Sequence, residues 1–336
     1  MTTARTRRLA GGLLLLTVLL GAVLLASMAV GARAIPPADV WAAITAFSPD
    51  QTTHRIIVDL RLPRTLVGLL VGAALGLAGA ILQGATRNPL ADPGILGIEA
   101  GATLFVVIGI AVFGITTIGG YVWLAFLGAG AATVLVYTIA ALGREGATPV
   151  KLALAGAAVT AAFASVTSAV LLTSVDTLDQ VRFWQVGALT GRTAEILLGV
   201  LPFFIGGIVL ALSTARILDG LALGDDVASG LGQRVALSRA VAGLAAVILA
   251  GAATAAAGPI GFVGLTVPHI ARAITGPSYR WILPYSLVIA PIFLLGADII
   301  GRVATPPGEL QVGIVTAAIG APFFIALVRR RRLAEL

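Results

Sequence analysis

Long apolar runs separated by short polar connections set the rhythm of the chain. The first extends from Leu9 to about Ala32, behind Arg5, Arg7 and Arg8. Others fall at approximately Leu62–Gln83, Ile95–Ile115, Tyr121–Leu142, Leu152–Leu172, Ile196–Ser213, Leu237–Ala257, Phe262–Ile274, Trp281–Val303 and Val312–Val328. Runs near 20 residues match what a helix needs to cross a hydrocarbon core of about 30 Å. Helices are expected because backbone groups in lipid must be satisfied within the segment. A transmembrane barrel would instead show alternating segments of about 10 residues. The pattern predicts an all-α polytopic membrane protein of about ten transmembrane helices, a single domain over residues 1–336. The eighth run is too short and too broken to cross as one straight helix.

Two details bear on the ends of this pattern. Ala32-Arg33-Ala34 resembles a small-x-small cleavage site, but the first run exceeds the 7–15 apolar residues usual for a signal peptide, and we read it as a retained helix. The polar stretch from Pro36 to Asp59 carries Trp41 and Phe47, which suit the membrane interface.

Packing signals come next. Gly68, Gly72 and Gly76 are four apart, with Ala80 in the same register. Such a row lies on one helix face and lets a neighbouring backbone come close. Pro322 falls inside the last run after Gly320 and is expected to kink or open that helix.

Composition agrees with the pattern: 58% of residues are hydrophobic and 11% charged, against about 25% charged in soluble domains. Cysteine is absent, which excludes disulfides, Cys metal sites and a thiol nucleophile. The net charge of +7 is not read as a nucleic-acid signal, because the arginines sit in short loops. With the N-terminus placed inside and ten spans alternating, 15 of the 22 basic residues fall on the inner side, so both termini are expected in the cytoplasm.

Catalytic chemistry is thin. Lys151 is the only lysine and no Gly-Lys pair exists, so the phosphate-cradling loop of an ATPase is missing. Glu99 and Asp298 are the acidic residues near the membrane interior. They are the candidates for an ion relay, but their positions near helix ends favour structural roles. The longest inner loop, Thr214 to Arg234, reads as short helices. Asp225 and Asp226 suit a first turn and Gly232 a C-terminal stop. Val227, Ala228 and Leu231 share helical spacing.

Several motifs then fall in order along most of the chain. They are Arg61-Leu62-Pro63-Arg64, Asn88-Pro89-Leu90-Ala91-Asp92-Pro93-Gly94 with Leu96-Gly97, and Leu223-Gly224 with Ala228 and Leu231-Gly232. Gly258-Pro259-Ile260-Gly261-Phe262-Val263-Gly264-Leu265 with Pro268-His269 follows, then Ala297-Asp298, Arg302 and Gly320-Ala321-Pro322-Phe323. Together they resemble the FecCD-type permeases, importers of ferric siderophores, haem and cobalamin.

The resemblance implies a permease subunit of an ATP-binding-cassette importer in the cytoplasmic (inner) membrane, taking up iron–siderophore or a related metal chelate by alternating access. It implies ten helices per subunit and a second permease copy, identical or a paralogue. Two cytoplasmic ATPase subunits would use the ATP, with no cofactor or catalysis in this chain. An extracytoplasmic binding protein would deliver substrate. Leu223, Gly224, Ala228, Leu231 and Gly232 would couple to the ATPase, and Arg61 and Arg302 would dock the binding protein. The family's gate lies near Ala147-Thr148-Pro149-Val150, where the small-hydroxyl pattern of some members is missing, so no gate residues are assigned. His269 is read as a packing or capping residue, and Trp184 as a contact for the binding protein or an interface anchor. The alternative function is an ion-gradient-driven secondary transporter.

Overall fold

A computed structural model describes residues 3–31, 33–115, 117–142, 148–305 and 308–330. Among these residues the regular structure is helical: α1 (Thr3–Ala29), α2 (Pro37–Thr45), α3 (Thr52–Arg55), α4 (Leu62–Thr86), α5 (Ile98–Phe113), α6 (Ile118–Ala141), α7 (Pro149–Thr173), α8 (Val175–Gln185), α9 (Ala194–Ser213), α10 (Ala215–Leu221), α11 (Asp225–Gly230), α12 (Val235–Ala257), α13 (Val263–Thr275), α14 (Tyr279–Ala304) and α15 (Val312–Arg330). A π-helical turn, Ile56–Arg61, joins α3 to α4, and a 3-10 turn, Pro93–Leu96, precedes α5.

Among the described residues, seven helical segments are long and apolar enough to cross a membrane: α1, Thr52–Thr86, Gly119–Ala141, Val150–Thr173, α9, α12 and α14. Ile98–Phe113 and Val312–Ala326 are shorter apolar helices, and α13 has 13 residues. These ten follow the order of the apolar runs.

The bundle is built around α4, whose apolar window is 83% buried. It packs against α14, α12, α13 and α9. The glycine row explains how α14 comes so near. A Cβ at Gly72 would stand 2.7 Å from the Cα of Pro291, and one at Gly76 would stand 2.8 Å from the carbonyl oxygen of Ser286. Gly68 meets Leu295 and Leu189, and Ala80 is fully buried in the same stripe. Without side chains at these positions, two backbones approach and gain dispersion contact, the main attraction between helices in lipid. Helix α1 is the opposite case: only 6% of its apolar window is buried, and Leu14, Leu15, Val18 and Leu25 face outward.

The polar stretch from Pro36 to Asp59 holds α2, α3 and most of the π-helical turn. Trp184 is neither an interface anchor nor an exposed contact: α8 buries it to 5% exposure, with its backbone against Gly258. Pro322 lies inside α15, which continues through it from Val312 to Arg330.

Ala32 of the small-x-small site and Ala147 of the gate region lie outside the described residues. Thr148 caps α7, accepting from the amide of Lys151 at 3.4 Å. His269 sits with its Nε2 2.8 Å from the carbonyl of Pro89, joining α13 to the turn after α4.

Candidate functional sites at the two ends of α4

At the N-terminal end of α4 three arginines surround two acids. Arg64 donates to Asp298 from Nη2 at 2.8 Å and from Nε at 3.2 Å, and to Glu309 from Nη1 at 2.8 Å. Arg302 follows Asp298 by four residues on α14 and donates to the same carboxylate through Nε, at 2.9 Å, and through Nη2. Thr190 also donates to Glu309, at 3.3 Å. Asp298 is 1% exposed and carries two guanidiniums. A buried carboxylate is tolerated when it is paired and hydrogen-bonded in this way.

The remaining donors solve a second problem. A helix leaves its last four carbonyls without intrahelical partners. For α1 those belong to Ala26, Ser27, Met28 and Ala29. Ala26 accepts from the amide of Val30 at 2.8 Å. Ser27 accepts from Arg302 Nη1 at 2.6 Å. Met28 and Ala29 accept from Arg61 Nη1 at 2.6 and 2.9 Å, and Arg61 Nη2 continues to the carbonyl of Arg33. The Ser27 hydroxyl closes the circuit, accepting from Arg302 Nη2 at 2.9 Å and pairing with Thr65 at 2.8 Å. The cations also complement the negative end of the helix dipole.

In this structure Arg61 and Arg302, expected to dock a binding protein, are turned to partners within the chain. Both are buried, at 8% and 3% exposure; Arg61 bonds the carbonyls of Met28, Ala29 and Arg33, and Arg302 bonds Ser27 and Asp298. They are cap residues of α1 in this structure. Arg64, Ser27 and Glu309 complete the cluster and were missed as its members. The four-residue spacing of Asp298 and Arg302 is the one local signal that could have exposed it.

At the opposite end, α10 and α11 form a small platform. Gly224 opens α11 at φ +105°, and Gly232 follows it at φ +81°, a region open to glycine at little cost. Asp219 of α10 accepts from the amide of Tyr279 at 2.6 Å and from the Ser278 hydroxyl at 3.3 Å, so it caps the start of α14. Asp225 is held by Arg239 at 2.9 Å and Arg87 at 3.4 Å. Arg87 ends α4 in the left-handed conformation, at φ 51°. The platform is thereby tied to α4, α12 and α14 through charges.

The apolar residues of the platform divide by face. Ala228 is fully buried, whereas Leu223, Val227 and Leu231 are 61%, 49% and 65% exposed. Leu223 precedes the Gly224 turn, Val227 lies within α11 and Leu231 is its C-cap. Ala228, expected among the coupling residues, seats α11 on the bundle in this structure. Gly224 and Gly232 shape the turns, and the leucines and Val227 supply the outward surface.

Comparison with known proteins agrees with this architecture. The model of the FecCD transport family matches residues 16–330. The ferric enterobactin transport system permease protein FepD of Escherichia coli (strain K12) is 47% identical over 334 residues, covering 98% of each chain. A probable siderophore transport system permease protein, YfiZ of Bacillus subtilis (strain 168), is 45% identical over 291 residues and 87% of each chain. Among solved structures, a metal-chelate type ABC transporter in an inward-facing conformation superposes with a TM-score of 0.83 at 29% identity, covering 96% of this chain and 100% of that one.

Proposed function

The chain belongs to the FecCD transport family, and on that premise we propose that it is the membrane-spanning permease subunit of an ABC importer for an iron–siderophore or related metal chelate. The observation that carries the reading is the Leu223, Val227 and Leu231 face. It stands at the end of the bundle where the basic loops accumulate, and exposed apolar residues grouped there suit a protein partner. A separate ATPase would cover it, since this chain lacks the phosphate-binding loop. Two such subunits, a second permease and an external binding protein complete the proposal, in a cytoplasmic membrane with both termini inside.

Motion of the ATPases would pass through α11 to Arg87 and Arg239, and so to α4 and α12. A binding protein that used Arg61 or Arg302 would have to displace the carbonyls of α1. Asp298, one of the two acids a gradient-driven carrier could use, is already paired with two guanidiniums.

The test is reconstitution. Proteoliposomes holding this chain, its ATPase and its delivery protein are expected to accumulate ferric siderophore with ATP and to keep doing so when the proton gradient is collapsed. Accumulation by the chain alone on a proton gradient would overturn the proposal.

A further inference from the structure

Helix α2 has two faces, and among the described residues only one of them is covered. Val40 and Ala43, each 1% exposed, pack with Ile35, Met28 and Ile57 in a small apolar cluster of their own. The other face presents Trp41, Ile44 and Phe47 at 68%, 50% and 48% exposure. Trp41 and Ile44, three apart, lie on one side of the helix, and Phe47 follows the C-cap Ala46. The turn that follows is fixed, with the Ser48 amide donating to His54 Nδ1 at 3.0 Å and the Phe47 ring 6.4 Å from that of His54. Phe47 is thus held outward by a structured turn.

Where this face lies follows from α1. The end of α1 is pinned by Arg61 and Arg302, and the Ile35 amide turns back to the Ala29 carbonyl at 2.9 Å. Pro36 then starts α2. The helix therefore begins within a turn of the point where α1 leaves the apolar core. It packs against α1, whose outward side carries Leu25 at 57% exposure near that end.

We propose that Trp41, Ile44 and Phe47 form an interfacial anchor by which α2 lies in the plane of the bilayer at the headgroup–acyl boundary, with lipid as its partner. Tryptophan suits that depth because its ring is apolar and its N–H can meet water or headgroups. A short amphipathic helix buries an apolar side there while its polar side stays hydrated. The anchor goes beyond the transport reading and stands or falls without it.

Absence of cysteine makes the test direct. Ile44→Cys carries a nitroxide in full-length protein, reconstituted in phosphatidylethanolamine–phosphatidylglycerol vesicles. Oxygen is expected to reach the label several-fold more readily than a water-soluble nickel chelate. In parallel, the emission difference between the wild type and Trp41→Phe isolates Trp41 with the other tryptophans in place. That signal is expected to lose most of its intensity in lipids brominated near the headgroup and little to iodide. Higher access to nickel chelate and iodide would show a hydrated face and overturn the proposal. Low access to every quencher would show a protein cover, such as a second copy, and would equally overturn it.

Discussion

Arg64 on α4 and Asp298 on α14 meet through two guanidinium nitrogens, at 2.8 and 3.2 Å, and fasten the two helices that the glycine row brings together. The pair sits at one end of that contact, while Gly72 and Gly76 fill its middle. Charge and close packing thus hold the same interface by different means.

Removing Asp298 leaves Arg64 and Arg302 facing each other without their shared anion. Breaking a buried pair from one side costs about 3–5 kcal/mol. Asp298→Ala is expected to lower the thermal stability of the detergent-solubilised protein by that order. Glu309→Ala should do much less, because the Arg64–Glu309 pair is more exposed. Equal melting curves for wild type and Asp298→Ala would count against the cluster as a stabilising element.

Charge reversal at the α1 caps tests what those arginines do. Arg61→Glu combined with Arg302→Glu sets carboxylates against the carbonyls of Met28, Ala29 and Ser27. The expected outcome is a loss of folded protein, seen as aggregation on size-exclusion chromatography. A well-folded double variant deficient only in binding-protein-dependent uptake would return both residues to a docking role.

Gly72→Leu is expected to prevent close approach of α4 and α14, since the obstacle at 2.7 Å is Pro291 backbone rather than a movable side chain. Overpacking costs about 1–3 kcal/mol where neighbours can shift, and here they have little room. Gly11→Ala is the control, with nothing within 4 Å. Comparing the two in the same thermal assay separates packing from a general effect of losing glycine.

The platform should respond by face. Leu231→Glu and Leu223→Glu are expected to leave the melting curve within about 0.5 kcal/mol, as exposed changes do, while abolishing ATPase co-purification and uptake. Ala228→Leu is expected to destabilise the platform itself, seen as increased proteolysis near residues 223–232. If Leu231→Glu retains its ATPase, the outward face serves another purpose.

Asp225→Ala removes a carboxylate that is 41% exposed, so its stability cost should stay under about 1 kcal/mol. Uptake is expected to fall further than stability, because α11 loses its ties to α4 and α12. The measurement is ATP hydrolysed per chelate transported, which should rise as coupling loosens. An unchanged ratio would leave Asp225 as a local tether only.

Sequence pattern was most informative where one helix explains itself. The ten apolar runs and the four-residue glycine spacing both reflect a helical period, and both appear in the structure as read. The pattern was least informative where a residue's role depends on a distant segment. Val40 and Ala43 look unremarkable until Met28 and Ile57 cover them, which is why α2 and α3 were read as a polar connection. Ala228 and Leu231 are equally apolar in sequence, and only the bundle decides which is covered. Arg61 and Arg302 were recognised as important, but their partners could not be read because the carbonyls they cap lie 28–33 and 272–275 residues away.

The ties between α1 and the C-terminal part of the chain have a consequence for biosynthesis. Arg5 donates to the carbonyl of Thr275, Tyr285 to that of Leu9, and Arg302 to that of Ser27. The first span to leave the ribosome must therefore wait in the bilayer for partners some 270 residues later. At about 5–20 residues per second, that delay is on the order of 15–55 s. Closure can then proceed like a zipper, from the amino end of α1 towards Ser27, as residues 275, 285 and 302 emerge in turn. A nascent chain stalled between residues 285 and 302 would hold α1 at its amino end and through Arg61, with the carbonyl of Ser27 still waiting for Arg302.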